Sequence, residues 1–217
     1  MMKGKLKIES FVVNPVQAHC FVVSDDSGEA VIIDNGCCYA EEYKALERYV
    51  QTESLRVIEQ WLTHAHFDHM LGVGEAYQRY GAGVRFHQPD SYLYKDPGGQ
   101  MRMLFGSEFP CRPAPVIGGF SEEEELVLGH HSFRVIFTPG HTPGGVCFYC
   151  EEEKILFSGD SLFANSIGRT DLPGGDFQLL SQSLREKLMV LPEDVVVFPG
   201  HGPYTSIGKE KESNPYL

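Results

Sequence analysis

The chain has 217 residues, with 30 acidic against 18 basic residues and a formal net charge of −12. This balance disfavours nucleic acid and anionic membranes as partners. The length fits one domain over residues 1–217, and the sequence has no apolar run of the roughly 18 residues that a membrane-spanning helix needs. It begins without the apolar segment of a secretory signal, and the six cysteines are interpreted as reduced thiols, so we expect a cytoplasmic protein.

The first part of the chain alternates predicted strands with predicted helices. Apolar or alternating runs bounded by turn residues predict strands, whereas apolar residues that recur every three or four positions predict helices. The predicted strands are residues 5–13, 19–24, 29–34, 55–62 and 84–87. The predicted helices are residues 39–53 and 72–80.

Residues 96–119 interrupt this pattern, because they contain four prolines and few periodic apolar positions, and they are predicted to form a long loop. Met103, Phe105 and Phe109 in this segment either line a substrate site or anchor the loop. Further strands are predicted at residues 132–138, 145–150, 154–158 and 195–198, with a helix at 176–191. The repeated order of strands followed by a helix predicts two similar halves packed face to face, which is a four-layer αββα sandwich of the α/β class.

Histidine and aspartate cluster where predicted strands end. The segment from His64 to His69 reads His-Ala-His-Phe-Asp-His, and His141, Asp160 and His201 each follow a later strand beside glycine. His64 and His66 share one face of an extended chain, whereas Asp68 and His69 turn away toward a second point. Because these strand ends can converge on one edge of the sheets, the pattern predicts a metal site there.

The ligand types suit two divalent cations. Neutral imidazole and carboxylate bind zinc, iron and manganese alike, so the residues leave the metal open, with zinc favoured. Two cations about 3.5–4 Å apart repel each other and need a bridging carboxylate and hydroxide between them. Asp160 is the predicted bridge.

These motifs resemble those of the metallo-β-lactamase superfamily, in which His-x-His-x-Asp-His is followed by Pro-Gly-His-Thr-Pro-Gly, Ser-Gly-Asp and Pro-Gly-His-Gly. The resemblance implies that Asp160 bridges the two metals and that Asp34, in an Asp-x-Gly turn, supports the ligands from behind. It implies that the first metal is held by His64, His66 and His141. It implies that the second metal is held by Asp68, His69 and His201.

Within the superfamily, the segments 166–176 and 201–210 resemble the short, single-domain branch similar to glyoxalase II. That likeness implies hydrolysis of a small thioester such as S-lactoylglutathione by a metal-bridging hydroxide, with Asp68 and Asp160 as catalytic residues. Arg169 matches a basic position of the larger glyoxalase II enzymes, which implies that it binds substrate, whereas Thr170 and Asp171 stand where those enzymes have aromatic residues. From the residues alone, Arg169 either clamps a substrate carboxylate or pairs with Asp171 or Asp176.

Three alternatives stay open from the sequence, and one of them is a non-catalytic metal-binding protein that keeps the fold as a scaffold. Gly-Arg-Thr-Asp at residues 168–171 also occurs in iron-dependent persulfide dioxygenases, whose single iron is bound by two histidines and one aspartate. By that resemblance, the iron ligands here are His64, His141 and Asp160. The third alternative is a hydrolase of the same fold acting on another substrate.

Overall fold

The computed structural model describes residues 4–107 and 110–217. Its first six strands form one sheet in chain order: β1 (Lys7–Val13), β2 (Ala18–Ser24), β3 (Glu29–Ile33), β4 (Arg56–Trp61), β5 (Val84–Arg85) and β6 (Val116–Gly118). The first three strands pair antiparallel, and β3 to β6 pair parallel. The parallel strands therefore end at a common edge.

The remaining strands belong to the second half of the chain. They are β7 (Glu125–Leu128), β8 (His131–Phe137), β9 (Val146–Cys150), β10 (Ile155–Gly159), β11 (Leu162–Phe163), β12 (Ser166–Ile167), β13 (Val196–Pro199) and β14 (Thr205–Ser206). Six of them form the second sheet, in the order β14-β13-β10-β9-β8-β7, while β11 and β12 form a separate hairpin. β10 and β13 run parallel, so their carboxyl ends also meet.

Six α-helices accompany the sheets in the described part of the chain. They are α1 (Ala40–Thr52), α2 (Val73–Tyr80), α3 (Ser91–Lys95), α4 (Pro97–Phe105), α5 (Phe177–Ser183) and α6 (Ile207–Ser213). α5 continues into a π-helical turn over Leu184–Leu188. None of the helices among residues 4–107 and 110–217 has the length and apolar character needed to cross a membrane.

The main apolar core lies between the two sheets. Trp61 of the first sheet packs against Phe133 and Phe148 of the second, with ring centroids 5.6 and 5.5 Å apart. Leu46 of α1 packs in a second cluster on the outer side of the first sheet, and Leu180 of α5 packs in a third cluster on the outer side of the second sheet. The order of layers is helix, sheet, sheet and helix, which confirms the predicted αββα sandwich.

The predicted strands and helices of both halves are confirmed, with ends that shift by one or a few residues. The prediction of a long loop at 96–119 is wrong, because the segment contains α4 and β6. The Asp96 side chain accepts a hydrogen bond from the Gly99 amide over 2.8 Å and so caps α4. Met101 is fully buried, and this tertiary contact favours a helix despite the glycines in its first turn. Phe109 lies outside the described residues.

Candidate metal centre

The predicted ligands converge at one edge of the sandwich. His64 to His69 follow β4, His141 follows β8, Asp160 follows β10 and His201 follows β13. His19 belongs to the same edge, since its amide donates to the Gly200 carbonyl over 2.7 Å and joins the two sheets there. The edge is therefore built from loops of both halves of the chain.

Two triads of possible ligand atoms that share no residue form at this edge, and a third, made of Asp34, His64 and His69, overlaps both. In each of the two separate triads the atoms lie within 4.8 Å of one another: His64, His66 and His141 in one, and Asp68, His69 and His201 in the other. His66 Nδ1 lies 2.9 Å from His141 Nε2, and His201 Nε2 lies 3.2 Å from Asp68 Oδ2. The structure thus groups the histidines and Asp68 in the two sets that the sequence predicts.

Asp160 lies between the two triads. Its Oδ2 is 3.5 Å from His141 Nε2 and 3.7 Å from His201 Nε2, while its Oδ1 is 3.5 Å from His69 Nε2. One carboxylate thus faces a histidine of the first triad and two of the second. This is the position that a bridging ligand between two cations must occupy.

The chemistry of these groups fits bound cations. Nε2 of His64, Nε2 of His69 and Oδ1 of Asp160 are buried and have no hydrogen-bond partner among the described residues. Buried polar atoms are rarely left without partners, since each costs free energy. Asp160 Oδ1 and the neutral imidazole of His64 offer lone pairs, and His69 Nε2 offers one when that imidazole loses its proton, so divalent ions would satisfy all three atoms.

Hydrogen bonds behind the imidazoles orient their free nitrogens. Asp34 Oδ2 lies 3.1 Å from His69 Nδ1, and it accepts from the Thr63 hydroxyl over 2.6 Å. Asp34 Oδ1 accepts from the Thr63 amide over 2.7 Å. The Thr63 hydroxyl oxygen is in turn 3.1 Å from His64 Nδ1. Asp34 therefore leaves Nε2 of both histidines facing the centre, as carboxylates behind metal ligands commonly do.

Two of the three remaining histidines, His141 and His201, are oriented by backbone carbonyls. His141 Nδ1 donates to the Arg169 carbonyl over 2.7 Å, and His201 Nδ1 lies 3.2 Å from the Gln17 carbonyl. Each contact uses Nδ1 and directs Nε2 inward. Arg169 thus touches the centre through its backbone.

The electrostatics of the two triads differ. Burial and the neighbouring imidazoles lower the pKa of His66 to about 3 and hold the pKa of His64 well below its usual value. Burial also disfavours charge on His69, but Asp68, Asp160 and Asp34 outweigh it and raise the pKa of His69 to about 10. His64 and His66 therefore favour the neutral imidazole that binds a cation, whereas His69 lies in an acidic setting that favours its charged form.

Two glycines give the backbone room to approach the ligands. A Cβ on Gly36 would lie 1.8 Å from the Asp68 carbonyl oxygen, and a Cβ on Gly168 would lie 1.8 Å from the Asp160 carbonyl oxygen. Any larger residue would push a ligand loop away. This close approach explains the glycine of the Asp-x-Gly turn.

Several supporting residues are not predicted by the sequence motifs. Asn14, with a positive φ of 54°, donates from Nδ2 to the Asp68 carbonyl over 2.8 Å. Gln100 accepts from the Phe67 amide over 3.0 Å. Asp90 accepts a hydrogen bond from the amide of Ala65, which lies between His64 and His66. These side chains contact backbone atoms far away in the sequence, so no local spacing reveals them.

A pocket of about 610 Å³ opens onto the centre. Its apolar wall comes from α4, the β11–β12 hairpin and nearby loops: Val16, Leu104, Phe105, Phe163, Ile167 and Leu172. Phe105 is on this wall, as one sequence interpretation holds, whereas Met103 lines a smaller adjoining pocket of about 170 Å³.

Arg169 also lines the pocket, and its guanidinium is engaged by a neighbour. Nε and Nη2 of Arg169 donate to the two carboxylate oxygens of Asp171 over 2.7 and 2.8 Å. Of the roles that the sequence leaves open, the structure shows the ion pair with Asp171. Binding of a substrate carboxylate by Arg169 would have to compete with that pair.

The fold and the paired triads define the class of protein. Residues 13–201 match the metallo-beta-lactamase superfamily, and the chain belongs to that superfamily of metallo-hydrolases.

Relatives within the superfamily differ in their described activities. The chain is 36% identical over 221 residues to the hydroxyacylglutathione hydrolase GloC of Haemophilus influenzae, with 98% of each chain covered. It is 38% identical to the crystal structure of the B3 metallo-beta-lactamase BLEG-1, with a TM-score of 0.86 over 97% of this chain and 99% of that one. The crystal structure of TTHA1623 in a di-iron-bound form is 37% identical, with a TM-score of 0.86 over 96% of this chain and 100% of that one.

Proposed function

We propose that the chain hydrolyses a small thioester of the S-lactoylglutathione type. The observation that carries the proposal is the pair of ligand triads around Asp160, open to a pocket with one apolar wall. GloC, a relative over the whole chain, supports a thioester substrate. Because both halves of the chain contribute ligands, we propose that residues 1–217 act as one catalytic domain.

The roles of the residues follow from their positions. The bound ions would be held by His64, His66, His141, Asp68, His69, His201 and Asp160. Such ions supply a Lewis acid and lower the pKa of a bound water toward neutrality. Asp68, within the second triad, and Asp160, between the two triads, would orient a water toward a carbonyl carbon in the pocket through their carboxylates. A thiol has a pKa of about 8.5, so a thiolate leaves near neutral pH without prior protonation.

We propose zinc as the metal, with iron or manganese as alternatives. Neutral imidazoles and carboxylates suit all three ions. The di-iron form of TTHA1623 supports iron as an alternative in this branch. Elemental analysis distinguishes zinc, iron and manganese when the protein is purified from cells grown in medium that contains all three metals.

We also propose that the protein acts in the cytoplasm on a small molecule, without a nucleic-acid or membrane partner. The net charge of −12 supports the absence of nucleic-acid and membrane partners, because it opposes binding to phosphate-rich surfaces. Arg169 is proposed to contact the thiol carrier at the pocket mouth.

Hydrolysis of S-lactoylglutathione by metal-loaded protein tests the proposed function. The expected result is turnover that falls by several orders of magnitude in Asp68→Ala, which removes a ligand and a water-orienting carboxylate. An Asp171→Asn variant, altered at the pocket mouth but outside the triads, is the matched control and retains turnover. Near-normal activity in Asp68→Ala contradicts the proposal.

Two further substrates separate the rival functions. A chromogenic β-lactam tests the activity named for BLEG-1. Oxygen consumption with glutathione persulfide tests the dioxygenase reaction, for which His64, His141 and Asp160 would hold a single iron. Turnover of either compound, together with no hydrolysis of thioesters, replaces the proposed function.

A further inference from the structure

The peptide of Ala65 is held from both sides by side chains that are remote in sequence. Ala65 lies between His64 and His66, so its backbone sets where the two imidazoles point. Its amide donates to Asp90 Oδ2 over 3.0 Å. Its carbonyl accepts from Gln100 Nε2 over 3.1 Å.

The same Asp90 carboxylate also holds the loop that carries His141. Asp90 Oδ2 accepts from the Thr142 hydroxyl over 2.8 Å, and Oδ1 accepts from the Gly144 amide over 2.6 Å. Asp90 is fully buried. It therefore connects two loops that otherwise come from different halves of the chain, and these loops supply the whole three-histidine triad.

These contacts require a carboxylate. Three donors from two loops converge on the two oxygens of Asp90. An asparagine has one accepting oxygen, so its amide NH2 group would face at least one of these donors and could not accept from it. Asp90 itself does not belong to any cluster of possible metal ligands in the described part of the chain that includes these histidines. Its contacts are with the ligand loops.

We propose that Asp90 is a positioning residue that fixes His64 and His66 relative to His141 and thereby sets the metal affinity of this triad. The inference rests on the proposed metal centre and does not depend on the substrate. Residues behind metal ligands commonly change metal affinity about 10- to 100-fold when replaced.

Cobalt(II) binding to Asp90→Asn tests this role without an activity assay. The wild-type and variant proteins are stripped of metal and titrated with cobalt(II) against a competing chelator, and visible absorption reports the geometry around the ion. We expect one of two cobalt ions to bind about 10- to 100-fold more weakly to the variant, with an altered spectrum. Wild-type affinity and spectrum in the variant would overturn the proposal.

Glu210→Gln is the matched control. Glu210 is also a buried carboxylate with several donors, but these are Asn165, Thr205 and Asn214, none of which is next to a proposed metal ligand in the sequence. We expect it to lower stability while leaving cobalt affinity and spectrum unchanged. An equal loss of cobalt affinity in both variants would show a general structural effect and overturn the specific role of Asp90.

A second pair of variants keeps the test decisive if Asp90→Asn does not fold. Thr142→Val removes one hydrogen bond to Asp90 at nearly constant volume, whereas Thr142→Ser keeps the hydroxyl. We expect weaker cobalt binding in the first variant and wild-type binding in the second. Equal binding by both overturns the proposal, and failure of the wild-type protein to bind cobalt overturns the metal centre on which it rests.

Discussion

The ion pair between Arg169 and Asp171 beside the pocket affects how much of the Arg169 positive charge is available to an anion. Asp171 occupies two donors of the Arg169 guanidinium, and both side chains are largely exposed. An exposed pair of this kind contributes little free energy, so a substrate carboxylate can compete with Asp171 for the guanidinium. If the proposed function holds, the pair would adjust the affinity for an anionic thiol carrier without touching the reacting groups.

Substitution at this pair should change KM more than kcat. We expect Arg169→Ala to raise KM for S-lactoylglutathione several-fold, and Asp171→Asn to lower it, because the guanidinium is then free. Added salt should reduce both effects, since screening weakens exposed charges. Steady-state kinetics of the two variants check this. Unchanged KM in both would show that Arg169 acts only through its backbone bond to His141.

Among the elements, α3, α4 and α6 are the helices that the sequence patterns did not predict, and α4 supports both the pocket and the loop from His64 to His69. Leu104 and Phe105 on α4 line the pocket. Gln100 on the same helix bonds the backbone on both sides of His66, at Ala65 and Phe67. It also donates to the Leu93 carbonyl over 2.9 Å. The helix and the ligand loop are therefore one hydrogen-bonded unit.

Loss of the Gln100 amide should destabilise the fold. Gln100→Met keeps the side-chain length but leaves the Phe67 amide and the Ala65 carbonyl without partners in a buried place, while the Leu93 carbonyl keeps its bond from the Asp96 amide. Each unsatisfied group costs about 1–3 kcal/mol, so we expect the free energy of unfolding to fall by at least that amount. Urea unfolding measures it. Gln182→Met, on the exposed face of α5, is the control, and equal urea midpoints for the two variants would contradict the prediction.

The elements differ in how much the sequence reveals about them. The β4 region was predictable because its apolar run leads directly into the histidine motif, and the ligands were predictable because they form compact motifs at strand ends. The loop prediction at 96–119 failed because the stability of α4 comes from burial of Met101 and Gln100, which local propensity does not report. Asp90 was missed for a related reason, since its partners lie 25 and more residues away.

On the scale of the whole molecule, the two sheets are joined by different contacts at the two ends of the sandwich. At one edge, ligand loops of both halves meet around Asp160. At the other end, Asp25, in the turn between β2 and β3 of the first sheet, accepts a hydrogen bond over 2.7 Å from the His130 amide in the turn of the second sheet. Its Oδ2 also lies 3.2 Å from His131 Nδ1. Asp25 therefore holds the far end together through its contacts with His130 and His131.

The contribution of Asp25 to the free energy of unfolding should fall as the pH is lowered. Burial opposes its charge, but hydrogen bonds from Ser27, His130 and His131 outweigh burial and lower its pKa from 3.8 to about 2. A carboxyl group whose pKa is lower in the folded state stabilises the protein fully above its unfolded pKa. That stability, about 2 kcal/mol, is lost as the pH falls from about 4 to about 2.

Asp25→Asn should remove this pH-dependent contribution. We expect the variant to be less stable than the wild type by about 2 kcal/mol at pH 7, and the difference to shrink toward zero near pH 2. Urea unfolding at a series of pH values measures it, and protonation of the metal ligands cancels because both proteins share them. Asp26→Asn, at the exposed neighbouring position, should change stability little at any pH. A difference for Asp25→Asn that stays constant down to pH 2 would show that the Asp25 carboxylate does not join the sheets through its charge.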